Sequence, residues 1–312
     1  MPWLLALLAL VPVAVADWIS VHGICQVPSD LEEETRAAQG TCPVPAVGLG
    51  LIQQERKLAH ARFEDTAADG EDDAGARAAK SRKAGGVSGT KCAAEFIAMA
   101  LFVFIGCGSA MSVANEPGWV LQVSLTFGFA ITALAYAVGH YSGGQINCAV
   151  TLGLMLSGDV SFGQGLANVL SQLLGSVLGA AVLKFAYPCE KDLTGGLGTN
   201  GVSEGWSKAG ALVAEFVGTF LLMFVVFETA VNPENKANSE LAPVAIGLAV
   251  FLAHSVLIPI DGCSINPTRS FGPALVQAFT GAEGNPFRDM WIFWVGPLAG
   301  ATAAACLYTM MH

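Results

Sequence analysis

Two asparagines head short apolar segments of the chain. Asn147 opens Asn147-Cys148-Ala149, and Asn266, 119 residues on, opens Asn266-Pro267-Thr268. Asn is a favoured helix N-cap because its side-chain oxygen accepts from the unpaired N–H groups of the first turn. The end it caps carries about half a positive charge, and its NH2 group is left to donate outward. Two such ends meeting inside a membrane would form one positive, donor-lined waist. A water there would accept from both asparagines and turn its own hydrogens away. That breaks a donor chain for proton hopping, and the field repels cations. Arg269, three residues after Asn266, is the only Lys or Arg between 237 and 287. An unpaired Arg in hydrocarbon is costly, so it should line water or find carbonyl partners. Glu95 and Glu215, 120 residues apart, are carboxylates at the starts of apolar stretches. Their matched placement favours a structural role, accepting from backbone N–H groups of irregular loops. Two membrane carboxylates also fit a proton-coupled carrier, and a dependence of flux on a pH gradient separates the two.

The elements that position these residues are membrane helices. The 312 residues are 53% hydrophobic and only 13% charged, with a mean hydropathy of +0.55, against about 25% charged in a soluble domain. The net charge of −10, without basic clusters in the apolar region, excludes ordinary nucleic-acid binding. Eight cysteines without paired spacing form neither a disulfide scaffold nor a metal site. Long apolar stretches near 92–113, 119–139, 162–186, 208–231, 240–260 and 289–311 are each about the 20 residues needed to span a bilayer. The segments 147–157 and 266–278 are too short to span and read as re-entrant half-helices.

An internal repeat underlies this pattern, with halves of about 92–207 and 208–312. Ala94-Glu95-Phe96 recurs as Ala214-Glu215-Phe216, Gly128 as Gly247, Asn147 as Asn266, and the Gly175/Gly179 pair as Gly296/Gly300. Three spans per half is an odd number, so the second half must be inverted, and inverted repeats place their site where broken helices meet. The expected fold is all-α and integral to the membrane: six transmembrane helices, two half-helices and an inverted repeat.

At these residues the chain resembles the aquaporins, the major intrinsic protein family. Asn147-Cys148-Ala149 and Asn266-Pro267-Thr268 stand where the family has paired Asn-Pro-Ala signatures, and both Ala-Glu-Phe motifs and Arg269 agree. The resemblance runs from about 92 to 312. It implies a pore waist of Asn147, Cys148, Ala149, Asn266, Pro267 and Thr268, with Glu95 and Glu215 as structural support. It also implies a narrower selectivity filter of Phe127, His254, Cys263 and Arg269, in which His254 and Arg269 supply donors to the permeant. Bulky Phe127 and His254, with Ser270, Ala274, Phe293 and Trp294, are similar to the water-selective branch. Cys148 departs from the family's Pro, keeping an N–H and losing rigidity. Thr268 replaces a smaller Ala and brings a hydroxyl able to bond locally.

The expected function is passive, osmotically driven water permeation that excludes protons and ions, by a homotetramer embedded in the lipid bilayer. The alternatives are a channel for another small neutral solute (glycerol, ammonia, hydrogen peroxide) and a weakly conducting membrane-junction protein. No HExxH, phosphate-binding loop or catalytic triad is present, so neither an enzyme nor a cofactor is expected. Residues 2–16 are apolar and end Ala14-Val15-Ala16, the pattern of a signal peptide or a signal anchor. Residues 17–91, rich in Glu, Asp, Ala and Gly, are expected to be a mostly disordered tail.

Overall fold

The computed structural model describes residues 86–280 and 285–312. The signal-like segment and most of the acidic segment lie outside the described residues. The rest is helical, without strands among the described residues. Helices α1 (Gly89–Val113), α2 (Trp119–Ser142), α4 (Phe162–Ala186), α5 (Lys208–Val226), α6 (Ala242–Asp261) and α8 (Met290–Met311) are the long elements. Each of the six, α5 and α6 with their flanking turns, is long and apolar enough to cross a membrane. The half-helices are α3 (Cys148–Leu156) and α7 (Pro267–Phe279). The protein is a multi-pass membrane protein built as an inverted repeat.

The boundaries differ from the sequence expectation at a few ends. Helix α1 begins at Gly89, three residues early, so Lys91 is helical rather than part of a tail. The backbone N–H of Ser88 donates to Gln164 Oε1 at 2.7 Å, tying this start to α4. Helix α2 runs on to Ser142 and stops at Gly143, whose φ of 90° suits a residue without Cβ. Gly262, 119 residues later, ends α6 in the same way with φ 80°. Helix α5 closes in a π-turn over Phe227–Val231, and the Pro233–Leu241 stretch before α6 is a 3-10 helix.

Small residues let the helices approach. A Cβ on Gly128 would press on the carbonyl of Gly247, and one on Gly247 on that of Gly128, so α2 and α6 cross backbone to backbone. Gly175 and Gly179 seat α4 on the carbonyls of Phe96 and Ala100, while Gly296 and Gly300 seat α8 on α5. Each half-helix also packs on the last span of the other repeat, α3 on α8 and α7 on α4. The usual distribution of polarity is reversed. Leu166, Leu170, Leu174 and Leu178 are exposed along α4, whereas Glu95, Gln145, Asn168, Gln172 and Glu215 are buried. Buried polar groups must be satisfied internally where no water reaches.

Candidate functional site

The two half-helix ends meet head to head. Asn147 caps α3 and accepts from Ala149 N–H at 2.8 Å. Asn266 caps α7 and accepts from Arg269 N–H at 3.2 Å. Each side-chain amide then crosses to the other repeat: Asn147 Nδ2 donates to Ile265 O at 2.8 Å, and Asn266 Nδ2 to Ile146 O at 2.7 Å. One amide hydrogen per asparagine is so fixed, which leaves the second for the cavity that both residues line.

The crossing depends on strained backbone. Ile146 and Ile265 have φ of 49° and 43°, uncommon for β-branched residues. Two contacts over-determine each. Their carbonyls take the asparagine amides, and their N–H groups donate to Glu95 Oε2 at 2.7 Å and Glu215 Oε2 at 2.6 Å. The preceding N–H groups, of Gln145 and Ser264, take the other carboxylate oxygens at 2.9 Å and 2.6 Å. Glu95 also accepts from Ser142 Oγ and Gln172 Nε2.

Phe127, His254 and Arg269 come together on one side of the asparagines, all nearly inaccessible. The Phe127 and His254 rings stack with centroids 4.3 Å apart, and the Arg269 guanidinium carbon lies 5.2 Å from the Phe127 centroid. Arg269 Nη1 donates to Gly198 O at 2.9 Å and Asn200 Oδ1 at 2.6 Å. His254 Nδ1 lies 2.8 Å from Val250 O. A carbonyl only accepts, so Nδ1 carries the proton. Nε2, the acceptor of a ring protonated only at Nδ1, is buried without a hydrogen-bond partner among the described residues. Cys263 is buried in the reversal after α6 with φ 53°, where the first repeat has Gly144. Its N–H donates to Asp261 Oδ1 at 3.0 Å.

Comparison with known proteins places this geometry. The family model described as major intrinsic protein matches residues 86–308. The chain belongs to the major intrinsic protein family. Aquaporin PIP1-1 of Arabidopsis thaliana is 39% identical over 226 residues, 70% of this chain and 77% of its own length. Aquaporin-5 of Mus musculus is 40% identical over 216 residues, 69% and 78% of the two chains. The X-ray structure of the aquaglyceroporin from Plasmodium falciparum matches with a TM-score of 0.63 over 70% of this chain and 94% of that one; at 18% identity this shows the fold alone.

In this member of the major intrinsic protein family, two cavities approach the stacked rings from opposite sides. One of about 520 Å³ runs from Lys91 and Asp159 past Asn147 and Asn266 to His254. The other, about 250 Å³, is lined by Trp119, Gly198, Asp261, Phe127 and Arg269. Several contributors escaped the sequence reading. Gly198 and Asn200 sit in the irregular connection between the repeats, which carries no periodic signal. Asp192 holds that connection by accepting from the N–H groups of Thr194 and Leu197. Gln145, Thr151, Asn168 and Gln172 form a buried polar chain behind Asn147.

Proposed function

We propose that the protein is a passive water channel whose waist is Asn147, Cys148, Ala149, Asn266, Pro267 and Thr268, and whose filter is Phe127, His254, Cys263 and Arg269. The observation that carries this reading is the reciprocal crossing of the two asparagine amides. It leaves one donor from each repeat at the same level of the lumen, between two positive half-helix ends. A permeating water accepts from both and cannot relay a proton through that point. Glu95 and Glu215 act as positioning residues, because they hold the backbone whose carbonyls orient the amides. At the filter, Phe127 and His254 fill the ring, and Arg269, held by Gly198 and Asn200, keeps a fixed positive charge beside it. Water, small and able both to donate and to accept, matches a ring that offers an acceptor at His254 and donors at Arg269.

Assembly as a homotetramer with one pore per subunit belongs to the same proposal. The exposed leucine ridge of α4 supports it as an apolar face for lipid or a second copy.

The test is stopped-flow light scattering on proteoliposomes. The expected result is fast osmotic shrinkage with a low activation barrier and no glycerol uptake. Slow shrinkage with folded protein, or glycerol uptake at the rate of water, would overturn the reading and favour another neutral solute.

A further inference from the structure

The two half-helix ends are not identical, and their differences meet. The first helical residue of α3 is Cys148, which carries an N–H; that of α7 is Pro267, which has none. At the next position α3 has Ala149, without a hydroxyl, and α7 has Thr268, with one. The extra donor of one repeat faces the extra acceptor of the other: Cys148 N–H points to Thr268 Oγ1 at 3.3 Å. The same hydroxyl donates its own hydrogen to Asn266 Oδ1 at 2.7 Å. All these groups are buried, so an unmatched N–H here would lack a water to replace its partner. In the reverse direction nothing is required, since Pro267 offers no N–H and Ala149 no side-chain oxygen.

We infer that Thr268 is a positioning residue for the waist, a hydroxyl clasp that satisfies the orphan N–H of the opposite half-helix and locks the Asn266 amide. The lock follows from the count of acceptors. Asn266 Oδ1 takes hydrogens from Thr268 Oγ1 and from Arg269 N–H. The amide cannot flip without breaking both, and its Nδ2 is thereby kept on Ile146 O and the lumen. Cys148 and Thr268 therefore form one unit, and a change at either has a cost set by the other. This inference rests on the waist assignment for its functional part; its hydrogen-bond part stands without any permeant.

A double-mutant cycle tests it, read both as thermal midpoint in detergent and as proton leak relative to water flux in proteoliposomes. Thr268→Val, which keeps the shape and removes the hydroxyl, is expected to lower the midpoint by several degrees. It should also raise the proton-to-water flux ratio by about tenfold, roughly the worth of one buried hydrogen bond. Thr268→Ser is expected to restore both. In a Cys148→Pro background, where the orphan N–H is gone, Thr268→Val should cost at most half as many degrees. A Thr268→Val variant that matches the native protein in midpoint and flux ratio would overturn the inference, as would a thermal penalty equal in both backgrounds. If Cys148→Pro does not assemble, the Val-against-Ser comparison in the native background decides alone. The thermal readout is independent of what permeates. A coupled midpoint in a protein that conducts no water would keep the clasp and reject the water channel.

Discussion

The proposed waist and the proposed filter are built on different principles. At the waist the contacts that aim the two asparagines are paired across the repeats, Asn147 with Asn266, Ile146 with Ile265 and Glu95 with Glu215, while the Cys148–Thr268 contact stands outside that pairing. The filter has no such counterpart. The same 119-residue offset carries Phe127 to Ile246, His254 back to Ala135, Cys263 to Gly144 and Arg269 to Val150. Of these, Gly144, Val150 and Ile246 line the larger cavity on the far side of the asparagines. In this reading the inverted backbone supplies two related rings, one made tight and charged by its side chains, the other left wide at Gly144, Val150 and Ile246. Symmetry is kept where two chain ends must match hydrogen bond for hydrogen bond. It is abandoned where a single selective constriction suffices.

This contrast predicts that lesions at the waist act first on stability, and lesions at the filter on which solute passes. The largest expected effect is at the waist. Glu215→Ala leaves the N–H groups of Ser264 and Ile265 buried without acceptors, at about 1–3 kcal/mol each, and should abolish a cooperative melting transition. A variant that melts like the native protein would break the comparison. Next comes the filter. Phe127→Ile with His254→Ala installs the residues of the wide ring, and should admit glycerol at least roughly tenfold faster than the native protein. If the folded, water-permeable variant still excludes glycerol, the constriction lies elsewhere.

A smaller effect sharpens the asymmetry. Cys263 is the thiol of the proposed filter, and thiolates bind soft metals. Mercury should block water flux in the native protein, and Cys263→Ser should remove most of that block. An unchanged block in Cys263→Ser would point to Cys148 at the waist. The smallest effect lies outside the pore. Burial of Asp289, at the start of α8, works to raise its pKa. Lys208, 2.7 Å away, together with Arg288 and the Val202 N–H, outweighs this and holds it below the usual value. A depressed carboxyl contributes stability above its unfolded pKa and loses it as pH falls through the folded value. Thermal midpoints should therefore drop below about pH 4 by more in the native protein than in Asp289→Asn. Lys208 is half exposed, so salt will shrink the difference.

Much of this was legible along the chain because it depends on local length, periodicity and type. Span lengths, the two short segments and the repeat placed six helices, both asparagine caps and both glutamates within a few residues of where they lie. The start of α1, which moved to Gly89, is tied by a contact 76 residues away, between Ser88 and Gln164.

The sequence by itself determined the membrane class, the inverted architecture and the residue types available at the waist and filter, since these follow from hydropathy and offset. Only the tertiary structure decided the partners. It set which carbonyl takes each asparagine amide and which loop holds Arg269. It also brought the Cys148 N–H to the Thr268 hydroxyl. Such pairings join irregular backbone across up to 120 residues. No period or local propensity encodes them, because they exist only once the half-helices are brought face to face.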